Sequence, residues 1–132
     1  MQVSHYQAKQ YGPQPCWELV ADLYATERKA LHVGYEQKDR TLRGMADAFR
    51  LAVHHNQNGF KCVGDPSDYC IVLLGKNQRI GIHHCGVYFD GRVLHAMPGI
   101  TLFEPLSVIR DRFELVEFWA QPPARSFEGS TP

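Results

Sequence analysis

The order of hydrophobic periods along the chain predicts an α+β fold, with N-terminal helices packed on a curled, mostly antiparallel sheet. Three observations carry this. The long stripes of apolar residues at helical spacing lie upstream of Gly59, where the period changes. Downstream, apolar residues come in short runs divided by turn clusters such as Gly64-Asp65-Pro66-Ser67, Asp90-Gly91 and Pro98-Gly99. One run, Tyr69-Cys70-Ile71-Val72-Leu73-Leu74, is apolar throughout, the pattern of a strand buried on both faces.

In chain order, residues 1–15 are polar and turn-rich and are expected to be extended, with Tyr6 and Tyr11 as their large apolar groups. Leu19, Val20 and Leu23 share one face of a helix spanning 16–26. Pro15 suits its first turn, where a missing N–H costs nothing. Residues 27–38 are left as loop or irregular helix. Leu42, Met45, Ala46, Phe49, Ala52 and Val53 form a second helical stripe. Asp39 or Thr41 can cap its start, and His54 and His55 sit in its last turn, where they favour the helix dipole. Residues 60–63 form a short strand and 69–74 a central one. Residues 80–89 and 92–96 read as a hairpin across Asp90-Gly91, a favoured two-residue turn. Residues 100–103 add an edge strand, Pro105 opens a short helix with Leu106 and Ile109, and 113–119 is a last strand. A single domain over 1–120 is expected, with a disordered tail from 121 to 132 that is rich in proline, serine and glycine.

The 132 residues suffice for a core without disulfides or metals. Lysine plus arginine equals aspartate plus glutamate at 14 each, and no basic stripe appears, which argues against nucleic acid as a partner. No apolar run is long enough for a bilayer span, and no signal peptide follows Met1. The expectation is a chain made in the cytoplasm, with no membrane partner, that acts elsewhere only if carried there. The cysteines Cys16, Cys62, Cys70 and Cys85 form no C-x-x-C and are read as free thiols. A zinc site from Cys85, His83 and His84 is disfavoured, because neighbours on a strand face opposite ways.

Cys16 falls at the mouth of the first helix, where unpaired N–H groups and the macrodipole stabilise a thiolate. Taken alone it reads better as a small buried hydrophobe that happens to start a helix. The hairpin changes that balance. With Asp90-Gly91 as the turn, Val87 pairs with Leu94 and Gly86 with His95. His84, Gly86, Tyr88, His95 and Met97 then share a face, and His83 points away with Cys85 and Val87. Gly86 leaves room for the rings of His84 and His95 to approach. A cysteine nucleophile needs a base, and the base an orienting group. Cys16 fits the nucleophile, His84 the base and later acid, and His95 the orienter. The oxyanion would be met by the Cys16 N–H, and Tyr11, Tyr6 and Trp17 are the further candidates for oxyanion or substrate contact.

These stretches resemble the NlpC-type papain-like cysteine peptidases of cell-wall remodelling. Pro15-Cys16-Trp17-Glu18-Leu19-Val20, Ser67-Asp68-Tyr69-Cys70-Ile71-Val72, His84-Cys85-Gly86-Val87-Tyr88 and Leu94-His95-Ala96 align with the family's four blocks. Cys-Trp-x-Leu-Val, and Leu-His-Ala-x-Pro-Gly with a later Glu-Pro-Leu, look most like the subgroup in tail assembly proteins of tailed phages. The resemblance implies cleavage of an amide in peptidoglycan stem peptides, between D-glutamate and a diamino acid, by a Cys-His-His triad without metal or organic cofactor. It also implies phage-tail or secretion-apparatus proteins as partners. Pro15 replaces the family's aspartate and Glu18 its glycine, and a Glu18 facing the cleft would oppose a thiolate. An inactive adaptor of the same fold, and an amidase toxin acting on another substrate, are the alternatives.

Overall fold

A computed structural model of the chain describes residues 1–27, 29 and 59–121. Helix α1 spans Val3–Gln7 and α2 Pro15–Thr26. The strands are β1 (Lys61–Val63), β2 (Ile71–Gly75), β3 (Ile82–Phe89), β4 (Arg92–Met97), β5 (Ile100–Pro105) and β6 (Leu115–Ala120). Helix α3 (Leu106–Arg112) lies between β5 and β6. The fold is α+β, with helices and an antiparallel six-stranded sheet in the order β1-β6-β2-β3-β4-β5.

The central strand is the continuous apolar run. All five residues of β2 are buried, between β6 and β3. Its alternate residues feed two cores. Ile71 and Leu73 join Leu19, Val20, Leu23 and Trp17 of α2 on one face. Val72 and Leu74 join Ile109 of α3, Val93 and Phe118 on the other. Burying a Leu or Ile side chain in such a core contributes about 2 kcal/mol.

The hairpin register is the expected one: Val87 pairs with Leu94, Tyr88 with Val93 and Phe89 with Arg92. Asp90 (φ 51) and Gly91 (φ 80) are both left-handed, as a type I′ turn requires. The second turn, at Pro98-Gly99, sets β5 against β4, so that Met97 pairs with Ile100 and His95 with Leu102.

Two expectations are corrected. The segment before residue 15 is not wholly extended, because it contains α1, whose Tyr6 is fully buried in the core beside α2. Strict alternation along β3 also fails. Leu74 pairs with His84 but Gly75 pairs with Ile82, which leaves His83 as the extra residue of a β-bulge. The backbone crowds there, since a Cβ on Gly75 would lie 2.5 Å from the Gly81 carbonyl oxygen. His83 therefore does not face away with Cys85 and Val87. Its Nε2 accepts the Lys76 N–H at 3.2 Å, and its ring lies 6.0 Å from that of Phe113. The second helical stripe, its caps, and His54 and His55 lie outside the described residues, as does the segment 122–132.

Candidate active site

Cys16 is the second residue of α2, after Pro15. The first bond from the cap runs from the Glu18 N–H to the Gln14 carbonyl at 3.0 Å, so the Cys16 N–H has no acceptor within the helix itself. The side chain is 5 % exposed and lies in the core cluster shared by α2 and β3.

The sulfur makes two side-chain contacts that matter. Cys85 and His84 both hydrogen-bond to it. The Cys85 bond is the strongest influence and holds the Cys16 thiol well below its usual range; burial opposes this, and the hydrogen bond and charge of His84 add to the lowering. Cys85 moves the other way, because burial and the neighbouring sulfur raise it well above an ordinary thiol. The physical picture is one shared negative charge, carried by Cys16, with the Cys85 S–H donating to it. All four cysteines are free thiols.

His84 is the next member. It is 9 % exposed, and its ring lies nearly parallel to that of Phe113, with centroids 5.9 Å apart and planes at 18°. His84 keeps the regular register, opposite Leu74 and just beyond the bulge at His83, and its ring is met by Cys16 and by Phe113. Its Nε2 lies 2.9 Å from Nδ1 of His95. Gly86 makes this approach possible: a Cβ there would lie 2.6 Å from the Leu94 carbonyl oxygen and 3.0 Å from the His95 Cβ. His95 is fully buried, and burial, together with the charge of His84, pushes its pKa down to about 4 despite the opposing pull of Glu104.

The structure thus brings Cys16, His84 and His95 together, and adds a residue that sequence reasoning missed. Glu104 Oε1 lies 2.8 Å from His95 Nε2 and is also bonded by the guanidinium of Arg112. Burial works against its charge, but the bonds from Arg112 and His95 outweigh it and lower the carboxyl. Glu104 stands opposite Val93, two pairs along from His95 and Leu102, and so shares His95's face. Extending β5 across the Pro98-Gly99 turn would have exposed that neighbourhood from the sequence.

Of the three remaining candidates, the two tyrosines turn their hydroxyls away from the sulfur. The Tyr6 hydroxyl donates to Glu27 at 2.7 Å, at the far end of α2 and about 16 Å along the axis from Cys16. The Tyr11 hydroxyl donates to Asp22 at 2.7 Å, about 9 Å along the same axis. Both phenols are raised by burial and by the carboxylates they bond. Trp17 is 4 % exposed and packs in the core cluster that also holds Cys16. The physical reason for the two tyrosines is the same. The arm before α2 runs back along that helix and is strapped to its carboxylates, with Lys9 also on Asp22 at 2.8 Å.

Glu18 belongs to this strapping and is not turned on the nucleophile. Its two carboxylate oxygens accept the Gly12 N–H at 2.8 Å and the Gln14 N–H at 2.9 Å. The bond to Gln14 is a capping arrangement, with a first-turn acid reaching back to the cap residue. Among the described residues no group of three or more His, Cys, Asp or Glu side chains is placed to hold a metal ion. Nor, among them, is any helix long and apolar enough to cross a membrane. No protein-family model matches the chain, and no curated protein is significantly similar to it.

Proposed function

We propose that the chain is a cysteine amidase of the NlpC-type, papain-like class that hydrolyses an amide in peptidoglycan stem peptides. The observation that carries the reading is the bond between His84 Nε2 and His95 Nδ1 at 2.9 Å, formed beside a depressed thiol at the start of a helix. A nucleophile, a base and an orienting group in reach of one another is the arrangement that acyl transfer by cysteine needs. The choice of a stem peptide, and of carriage by a phage tail or secretion apparatus, rests on the resemblance of the four sequence blocks.

The chemistry follows from the geometry. His84 takes the Cys16 proton, and the thiolate attacks the amide carbonyl carbon. The oxyanion is met by the Cys16 N–H at the positive end of α2. The C–N bond breaks as His84 returns its proton to the leaving amine. A water, deprotonated by His84, then attacks the thioester, releasing a carboxylic acid and the free thiol.

Digestion of purified sacculi with the full chain tests this. Soluble fragments bearing new amino groups are expected from the wild type and none from Cys16→Ala. Failure to release fragments from sacculi of several stem-peptide chemistries, with Cys16 intact and reduced, would overturn the assignment. Retention of particle assembly by Cys16→Ala in that case would favour an adaptor of the same fold.

A further inference from the structure

We propose that Glu104, clamped by Arg112, is the positioning residue that sets the tautomers of both site histidines, leaving Nδ1 of His84 as the atom that faces Cys16. This deepens the hydrolase reading and rests on it for the meaning of the site, but its geometry stands independently.

The tautomers follow from counting protons. An ionised carboxylate can only accept. Glu104 Oε1 lies 2.8 Å from His95 Nε2, so that nitrogen carries the hydrogen. A neutral imidazole has one N–H, so His95 Nδ1 is then a bare lone pair. That lone pair lies 2.9 Å from His84 Nε2, and a bond there needs the proton on His84 Nε2. His84 in turn has one nitrogen left, Nδ1, as its acceptor. Proton transfer from the Cys16 sulfur to Nδ1 makes an imidazolium whose Nε2–H already points at His95. The positive charge so created is answered, one ring away, by the carboxylate.

The groups that face each ring are consistent with this direction. His95 is met by His84 from β3, by Glu104 from β5 and by Arg112 from α3. His84 is met by Cys16 from α2, with Cys85 sharing the sulfur and His83 beside it in the bulge. Arg112 keeps the carboxylate charged, so Glu104 does not take up a proton and reverse the ladder. Its own side chain is 43 % exposed, so solvent attenuates its charge at His95 while its hydrogen bond holds the carboxylate in place.

Nitrogen-15 NMR of the wild-type chain at neutral pH, read through long-range couplings to the ring protons, tests the assignment directly. His95 is expected as the Nε2–H tautomer, and His84 is expected to carry a proton on Nε2 whether or not its Nδ1 also holds the one from Cys16. A Nδ1–H signature for His95 would overturn the proposal. Glu104→Gln supplies the second arm. Loss of the anionic acceptor is expected to mix the tautomers and to shift upward the pH profile of Cys16 alkylation by iodoacetamide. It should also lower kcat roughly tenfold with KM little changed, the size expected for one charge-assisted hydrogen bond. Glu104→Asp should restore part of the loss. Tautomers and alkylation profile in Glu104→Gln identical to wild type would make Glu104 a structural brace and sink the idea. Should that variant fail to fold by circular dichroism, the wild-type spectrum still decides. Neither the spectrum nor the alkylation needs substrate, so an absence of sacculus hydrolysis would count against the hydrolase and leave the tautomer assignment standing.

Discussion

His84 and His95 stand on neighbouring strands eleven residues apart in sequence, yet their rings meet nearly edge to face, with Nε2 and Nδ1 2.9 Å apart. His95 donates nothing to Cys16 itself; its work is to hold the other ring. His95→Ala should therefore lower kcat by about 100-fold, at the low end of what an acid–base group contributes, while binding of substrate changes little. Steady-state kinetics on a soluble stem peptide would check this, and His95→Asn should recover part of the rate.

Gly86 has no room for a side chain. Gly86→Ala would press a methyl against the Leu94 carbonyl oxygen, 2.6 Å away, and against the His95 Cβ. The strands β3 and β4 must then part at the point where the two rings meet. A loss of about 2–3 kcal/mol is expected from urea unfolding, in the range of overpacked cores, with activity lost below the midpoint as well.

Cys85 affects reactivity without reacting. Cys85→Val keeps a similar volume and removes the S–H that donates to Cys16. The pKa of Cys16 should rise, because its thiolate loses a hydrogen-bond donor. Iodoacetamide alkylation followed as a function of pH would show the shift. An unchanged profile would mean that His84 alone activates the sulfur.

The fully buried His95 also makes stability depend on pH. Its folded pKa is depressed to about 4, below that of an unfolded histidine near 6.5. The unfolded chain therefore binds a proton first as the pH falls. Stability from this group is full above pH 6.5 and is lost progressively down to pH 4, by about 3 kcal/mol. Urea midpoints measured between pH 7 and pH 4 should fall accordingly, and His95→Asn should flatten the fall.

Local signals were enough for some of this fold, and those parts agree with the sequence reading. The Asp90-Gly91 turn fixed the β3–β4 register, and that register alone put His84 and His95 on one face. Pro15 and the Leu19, Val20, Leu23 spacing placed Cys16 at a helix mouth. What was not legible was non-local. The insertion of β6 between β1 and β2 depends on long-range pairing that no short pattern encodes. The bulge at His83 lies where the Gly75 and Gly81 backbones approach closely, a contact visible only after folding. Tyr6 and Tyr11 looked free to serve the site because Glu27 and Asp22, their acceptors, are distant in sequence. Glu18 read as an electrostatic fault and is instead the anchor of the preceding loop.

The line from sulfur to guanidinium runs across the sheet from one helical layer to the other. It begins on α2, which covers one face of β2, passes through β3, β4 and β5, and ends on α3, which covers the other. No single supersecondary unit holds more than part of it. Partial opening of either helical layer should thus silence the thiol before the remaining core melts, so the reactivity of Cys16 becomes a sensor of the least stable layer. Hydrogen exchange at α3 amides and the rate of Cys16 alkylation, measured across sub-denaturing urea, should then change together.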